Sequence, residues 1–331
     1  MINQRLDYID ELRGIAALAV VFQHLWLPLL SMSNQYVDPG LFGVYLFFWV
    51  SGYIIVFSVW RNCTPREFVI ARFFRLYPIY WVSIGIYVLI NYNTLDFKVL
   101  LFNLTMFQRF IGIPDLLGVY WTLQVELMFY GFVLFCLFIR KIKNAKFYLY
   151  GYMVSTLLSL ICASGRFLLN IKFPVAPFTG LSLIFTSAIF FQYRHNNYLN
   201  SRLVKLFLAC AWCVFCGVSL LSYSKDWGYH ETPARFILMF SAAGGVFLLA
   251  NAYRSFLKIR VFAFLGRISY PLYLFHMPLY LFLLPMLKSY HCNDYVATTI
   301  IMFFVICMAW LAHLIIEMPS IKFGKYLRQR S

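Results

Sequence analysis

Long apolar segments, separated by short polar ones, follow one another along almost the whole chain. Ten of these segments are long enough to cross a bilayer as helices, because roughly 20 apolar residues span its hydrocarbon core. They cover residues 12–31, 41–60, 74–92, 119–139, 147–165, 174–193, 203–223, 234–252, 269–288 and 295–317. The pattern predicts an all-α, polytopic integral membrane bundle of about ten transmembrane helices. It leaves no segment for a separate soluble domain, so residues 1–331 are expected to form a single membrane domain.

The positive charges are distributed unevenly between successive polar segments. With the N-terminus placed in the cytoplasm, 21 of the 28 lysines and arginines fall on the cytoplasmic side and seven on the other. Cytoplasmic loops of membrane proteins carry such an excess. The distribution therefore predicts that both termini are cytoplasmic. It also accounts for most of the net charge of +16 without nucleic acid as a partner, in a chain that is 62% hydrophobic and 12% charged.

The first apolar segment carries an arginine at its start and a histidine inside it. Arg13 and His24 are eleven positions apart, which at about 100° and 1.5 Å per residue puts them on one helix face, roughly 16 Å apart along the axis. Ionisable groups inside a membrane are expensive and often functional. The alternative is an arginine that reaches the interface and a histidine satisfied by a neighbouring helix, and this segment alone leaves the two interpretations even.

Two further groups lie in the next polar and apolar segments. Arg72 and Arg75 are three positions apart at a predicted cytoplasmic helix end, where two guanidinium groups can bind a phosphorylated cofactor or simply set the topology. Glu126 is predicted to lie about a third of the way into the fourth span, at a depth similar to that of His24. A buried carboxylate needs a partner, and a Glu126–His24 pair is one solution, with an interhelical hydrogen bond elsewhere as the alternative.

The remaining candidates are weaker on sequence grounds. His276 precedes Pro278 in the ninth span, where it would line a channel for a ligand or bond a free carbonyl near the proline. His313 and Glu317 are interpreted as an interfacial pair four residues apart. Ser51, next to Gly52, is interpreted as a packing position rather than a nucleophile, and the cysteines at 210, 213 and 216 as packing residues rather than metal ligands.

Together these motifs resemble the membrane-bound acyltransferase-3 family, over residues 9–319. The most specific signal is a basic residue followed, after ten others, by histidine, as in Arg13 and His24. Four further elements of the family match in order, at Phe47 to Gly52, Trp121 to Glu126, Ser269 to His276 and Glu317 to Pro319. The chain departs from the family in having Ala71-Arg72 where a doubled arginine is usual, and Tyr53 in place of phenylalanine.

The resemblance implies a multi-pass O-acyltransferase of the bacterial inner membrane that takes an acetyl group from cytoplasmic acetyl-CoA. The acceptor would be a sugar hydroxyl on a polysaccharide or lipid-linked oligosaccharide, such as lipopolysaccharide O-antigen or exopolysaccharide. In this interpretation His24 is the general base and Glu126 orients or charges it. Arg13, Arg72 and Arg75 hold the phosphates of CoA, and His276 lines the donor channel. A covalent acyl-histidine relay is the less favoured variant.

Two other classes of function fit part of the pattern. A proton-coupled transporter or flippase of a glycan or small anion would use His24, Glu126 and His276 as a proton relay, and its transport would respond to the proton gradient without CoA. A scaffold of a polysaccharide export complex would not need His24 or Arg13 at all.

Overall fold

The computed structural model describes residues 7–30, 36–60, 63–195, 200–225, 231–253 and 258–329, and within them all regular secondary structure is helical. A π-helix at His313–Glu317 joins the last two α-helices. The thirteen α-helices are α1 (Asp7–Leu25), α2 (Pro39–Val59), α3 (Pro65–Asn91), α4 (Phe97–Asn103), α5 (Trp121–Phe138), α6 (Ala145–Leu169), α7 (Val175–His195), α8 (Ser201–Tyr223), α9 (Pro233–Ala252), α10 (Arg260–Arg267), α11 (Ser269–Ser289), α12 (Asp294–Ala312) and α13 (Met318–Gln329).

Nine helical segments of this described part are long and apolar enough to span a membrane, and they correspond to the second to tenth predicted spans. The prediction of a polytopic helical bundle is therefore confirmed. The first predicted span, α1, differs because Asp7, Asp10, Glu11 and Arg13 all lie in its first two turns. The location of the termini and the single-domain organisation stay predictions.

Contacts between residues divide the chain into two compact units. Unit 1 comprises Met1–Ser33, Thr64–Gln124 and Lys258–Ser331, and unit 2 comprises Asn34–Cys63 and Val125–Leu257. Unit 1 thus contains α1, α3, α4, the first turn of α5 and α10 to α13. Unit 2 contains α2, the rest of α5 and α6 to α9.

In unit 1, α1 and α10 approach each other backbone to backbone at two glycines. A Cβ atom added to Gly14 would overlap the carbonyl oxygen of Phe262, and one added to Gly266 would overlap that of Asp10. The Glu11 carboxylate lies near the backbone N–H of Ile259, just before α10 begins. We call this crossing, made by Gly14 and Gly266, the glycine clasp.

The glycine clasp leads to a stability prediction. Gly266→Ala is expected to lower the free energy of unfolding by roughly 1–3 kcal/mol, because the new methyl group meets backbone rather than a movable side chain. Thermal unfolding of the purified protein in detergent would measure the change. The matched control is Gly85→Ala in α3, where an added Cβ has nothing within 4 Å and alanine should stabilise the helix by up to about 1 kcal/mol. Equal stability of the two variants would contradict the clasp.

Helix α3 begins with a reciprocal capping box and is held on two sides within unit 1. The Thr64 hydroxyl accepts from the Glu67 N–H at 3.2 Å, while the Glu67 carboxylate accepts from the Thr64 N–H at 2.7 Å, which satisfies backbone donors at the start of the helix. The Tyr270 hydroxyl of α11 donates to the Leu76 carbonyl at 2.9 Å. On the α13 side, the ring of Phe74 packs against Gly324.

The segment between α3 and α5, predicted as the longest loop, is folded by two buried polar side chains. The Asn103 amide donates to the Pro114 carbonyl at 3.0 Å, and its oxygen accepts from the Leu116 N–H at 3.0 Å. The Asp115 carboxylate accepts from Gln108 at 2.6 Å and Gln124 at 2.8 Å, and also pairs with Arg109. These bonds tie the loop to the first turn of α5.

In unit 2, α2 packs against α7 and α9. A Cβ added to Gly52 would overlap the carbonyl oxygen of Ile184 in α7, and the Ser187 hydroxyl donates to the Trp49 carbonyl. The close helix approach predicted at Ser51-Gly52 is therefore confirmed.

Candidate active site

The strip of α1 that carries Arg13 and His24 is covered by protein. Counting from Arg13 at about 100° per residue, His24 lies about 20° around the helix, Ala17 about 40° and Val20 about 20° in the other direction. Ala17 is 0% and Val20 1% exposed, whereas Arg13 and His24 are partly exposed. The shared face that the spacing predicts is thus a buried face with two polar groups along it.

The tautomer of His24 is set by its own helix. Its Nδ1 lies 2.9 Å from the Val20 carbonyl oxygen, one turn back. A carbonyl oxygen only accepts, so Nδ1 carries the hydrogen and, in the neutral ring, Nε2 keeps its lone pair. This arrangement leaves Nε2 as the basic atom of the His24 side chain. The sequence did not reveal the tautomer, because the group that bonds Nδ1 is the backbone carbonyl of an apolar residue, Val20.

His276 is the side chain that the structure brings to His24. The two ring centroids are 5.1 Å apart with an angle of 51° between the ring planes. His276 is 0% exposed, and neither of its ring nitrogens has a partner of normal hydrogen-bond geometry among the described residues, although the Leu272 and Tyr273 carbonyls lie nearby. Two imidazoles that are far apart in sequence therefore form one site in unit 1.

The carbonyl that Pro278 leaves without a backbone donor has a partner other than His276. Pro278 cannot donate to the Leu274 carbonyl four residues earlier, and His276 was a candidate to bond the carbonyl freed in this way. That carbonyl instead accepts from the Ser83 hydroxyl of α3 at 3.0 Å. A hydroxyl on a neighbouring helix therefore satisfies the Leu274 carbonyl, and the carbonyls that lie near His276 are those of Leu272 and Tyr273.

Hydroxyl groups fix α11 beside this pair of rings. The Tyr273 hydroxyl bonds the Thr122 hydroxyl at 2.8 Å and donates to the Val119 carbonyl at 3.0 Å, and its ring centroid is 5.9 Å from that of His276. Ser83 also bonds the Tyr120 hydroxyl at 2.8 Å. The Trp-Thr-Leu segment that opens α5 thus has a positioning role in unit 1, which its sequence pattern did not reveal.

The structure places Arg72 and Arg75 toward the protein side of α3. Counting from buried Phe68, Arg72 lies about 40° around the helix, between Ile79 at about 20° and Ser83 at about 60°, and all three of these neighbours are buried. The Arg72 guanidinium lies over the Phe68 ring, 5.3 Å from its centroid. Arg75 is about 60° from Arg72 and is partly exposed. A residue that only sets topology has no need of this buried face.

Glu126 belongs to unit 2. Its carboxylate accepts a hydrogen bond from the Tyr130 hydroxyl, one turn later in α5, at 2.6 Å. The predicted pairing of Glu126 with His24 stays a prediction.

The predicted pair of His313 and Glu317 is confirmed, with a nitrogen–oxygen distance of 2.7 Å. Glu317 is 1% exposed, and both residues lie in the π-helix between α12 and α13, while the location of the pair at the membrane interface stays a prediction. Single-turn π-helices are frequent at functional sites.

Fold and site together define an integral membrane protein with two imidazoles in contact, of which His276 is fully buried, and cations on protein-facing helix strips. The model of the acyltransferase-3 acyltransferase domain matches residues 6–315. The chain therefore belongs to the acyltransferase-3 family and contains its acyltransferase domain.

Three relatives illustrate the range of similar proteins. ORF330 of Acidianus two-tailed virus, named as a candidate acetyltransferase, is 26% identical over 81% of this chain and 82% of its own. Peptidoglycan O-acetyltransferase OatA of Listeria monocytogenes is 25% identical over 85% of this chain, which spans half of OatA. Nodulation protein 10 of Rhizobium leguminosarum is 30% identical over 37% of this chain and 41% of its own. No solved structure matches the chain at a significant level.

Proposed function

We propose that this protein transfers an acetyl group from cytoplasmic acetyl-CoA to a sugar hydroxyl of a cell-surface glycan, in a bacterial inner membrane. The acceptor is a polysaccharide or a lipid-linked oligosaccharide, such as lipopolysaccharide O-antigen or exopolysaccharide. The observation that carries the proposal is the tautomer of His24, whose Nδ1 is bonded to the Val20 carbonyl and whose Nε2 is available as a base. The name of OatA, a peptidoglycan O-acetyltransferase, supports a glycan acceptor.

In the proposed reaction, His24 Nε2 removes the proton of the acceptor hydroxyl as its oxygen attacks the thioester carbonyl carbon. The C–O bond of the ester forms, the C–S bond of the thioester breaks, and the leaving thiolate takes the proton from His24 to give free CoA. General base catalysis of this kind contributes about 10²- to 10⁴-fold. Glu126 is proposed to orient or charge His24.

Arg13, Arg72 and Arg75 are proposed to bind the phosphates of CoA, because guanidinium groups bind phosphate through paired hydrogen bonds. The rise of roughly 16 Å from Arg13 to His24 is comparable with the length of an extended pantetheine arm. His276, in contact with His24, then lies at the thioester end of the donor.

The test uses the purified protein in lipid nanodiscs with acetyl-CoA carrying a labelled acetyl group. We expect label to move to a lipid-linked oligosaccharide or an isolated surface polysaccharide, and mass spectrometry of glycans from cells with and without the protein to show the same acetyl group. Absence of labelled glycan in both experiments would contradict the proposal. Substrate movement that follows a proton gradient without CoA would instead indicate a transporter.

A further inference from the structure

His276 carries two buried polar atoms with no hydrogen-bond partner in the part of the chain that the structure describes. An unsatisfied buried polar atom costs about 1–3 kcal/mol, and such atoms are rare enough in native proteins that each one needs an explanation. The carbonyl freed by Pro278 does not provide one, since Ser83 bonds it. A bound ligand would supply the hydrogen-bond partner that the His276 ring lacks.

The surroundings of His276 define the chemistry of that ligand. The His276 imidazole has no exposed surface, and among the residues that the structure describes no carboxylate acts on it. Such a ring is neutral, because charging it in a dry setting is costly. A neutral imidazole has one N–H donor. The ring lies beside the imidazole of His24 and the phenol of Tyr273, and near the Leu272 and Tyr273 carbonyls, none of which meets normal hydrogen-bond geometry with it. The Tyr273 hydroxyl is already bonded to Thr122 and Val119.

We propose that the neutral His276 imidazole donates a hydrogen bond to the thioester carbonyl oxygen of the acyl donor and stabilises the negative charge that forms there during transfer. This role rests on the proposed function of His24 as the base and makes His276 a catalytic residue of the same site. The earlier interpretation of His276 as a lining residue of the donor channel becomes a specific contact with one atom of the donor.

The geometry suits two adjacent oxygens of one reacting centre. With ring centroids 5.1 Å apart, facing ring nitrogens are separated by about 3 to 7 Å, a distance that two hydrogen-bonded oxygens of roughly 2.8 Å contact length can bridge. One oxygen is that of the attacking hydroxyl, bonded to His24, and the other is the carbonyl oxygen, bonded to His276. His24 is partly exposed, so the donor can reach the buried ring of His276 from the His24 side.

Electrons and protons balance in this step. As the hydroxyl oxygen bonds to the carbonyl carbon, the π-electron pair of the carbonyl moves to its oxygen, and the hydroxyl proton moves to His24 Nε2. The N–H of His276 stays on its ring throughout. When the C–S bond breaks, the electron pair on oxygen restores the carbonyl, and His24 returns the proton to the thiolate. Preorganised donors at such an oxygen contribute about 10²- to 10³-fold in kcat.

The test compares His276→Leu, which removes the N–H that donates the hydrogen bond, with His276→Gln, whose side-chain amide keeps an N–H. We expect kcat to fall about 10²- to 10³-fold in the leucine variant, with the KM for acetyl-CoA within threefold of the wild type. The kcat of the glutamine variant should be at least tenfold higher than that of the leucine variant. The control is His195→Leu, since His195 is a histidine of unit 2 whose ring stacks on Phe191 at 4.1 Å, and it should retain activity.

Three results would overturn the proposal. The first is a leucine variant with kcat within threefold of the wild type. The second is a loss that appears only in KM, which would indicate donor binding alone. The third is an equal loss in the leucine and glutamine variants. If His24→Ala abolishes transfer while any of these holds, the proposed function survives and the role of His276 does not.

A measurement on the unaltered protein keeps the proposal testable if the leucine variant does not fold. Two inert analogues of acetyl-CoA are compared as inhibitors. In the first, a methylene group replaces the thioester sulfur, so that the carbonyl becomes a ketone. In the second, a methylene group also replaces this carbonyl. If His276 donates a hydrogen bond to the carbonyl oxygen, the ketone analogue should inhibit at least tenfold more tightly than the methylene analogue. Equal inhibition by both analogues would overturn the proposal.

Discussion

Replacing His24 by alanine is expected to reduce kcat for acetyl transfer by at least about 100-fold. The variant loses the Nε2 lone pair that the Val20 carbonyl leaves free by fixing the hydrogen on Nδ1. Initial rates with labelled acetyl-CoA and a saturating glycan acceptor would measure the effect.

The matched control for this prediction is His195→Ala. His195 makes the same local bond as His24, from Nδ1 to the carbonyl of Phe191 four residues earlier, at 3.1 Å, but it lies in unit 2 and has no role in the proposed site. Its variant should retain near-normal kcat. Near-normal transfer by purified His24→Ala would rule out both the direct base mechanism and the acyl-histidine relay.

Replacing Arg13 by alanine is expected to raise the KM for acetyl-CoA by roughly 10- to 100-fold and to change kcat much less. Hydrogen bonds between charged partners contribute about 1.5–3 kcal/mol, which corresponds to that range at 1.4 kcal/mol per tenfold. Arg13→Lys keeps the charge but not the paired geometry, so its KM should lie between those of the wild type and the alanine variant. Donor saturation curves at fixed acceptor concentration would measure all three.

Helix α3 offers a matched comparison for the same proposal. Arg72 lies on its buried face, whereas Arg66 on the same helix is exposed and lies about 120° around the helix from Arg72. Arg72→Ala should raise the KM for acetyl-CoA, and Arg66→Ala should leave it unchanged. An unchanged apparent affinity for the donor in both the Arg13 and Arg72 variants would refute a phosphate site at these arginines.

The membrane-spanning helices were predictable because hydropathy acts locally along the chain. Nine of the ten predicted spans are helices of sufficient length and apolarity. The exception is α1, whose acidic and basic first turns reduce its hydropathy. Much of its surface is covered by protein, including Leu12, Ala16 and Val20, so tertiary packing rather than lipid decides its position.

The candidate site was predictable only in part. Helical periodicity predicts that Arg13 and His24 share a face, because that relation depends on one helix alone. The contact between His24 and His276 depends on how distant segments pack, and the bond from Ser83 to the Leu274 carbonyl depends on the register of two helices. Neither relation has a local signal in the sequence.

The glycine clasp was also missed, although it left a signal. Each of its glycines neighbours an arginine, in Arg13-Gly14 and in Gly266-Arg267. A glycine beside a charge in an otherwise apolar helix is costly for helix formation, so it indicates a close backbone approach. The same kind of dipeptide occurs at Gly165-Arg166 in α6, so the signal alone does not say which two segments cross.

The glycine clasp has a consequence for biosynthesis. Helix α1 emerges from the ribosome early, but its partner α10 belongs to the last segment of unit 1, Lys258–Ser331, whereas unit 2 has been synthesised in full once Leu257 is added. Domains fold as their segments become available during translation. Helix α1 must therefore wait at the translocon or beside it, with its glycine face uncovered, until the segment Lys258–Ser331 has been synthesised and can pack around it.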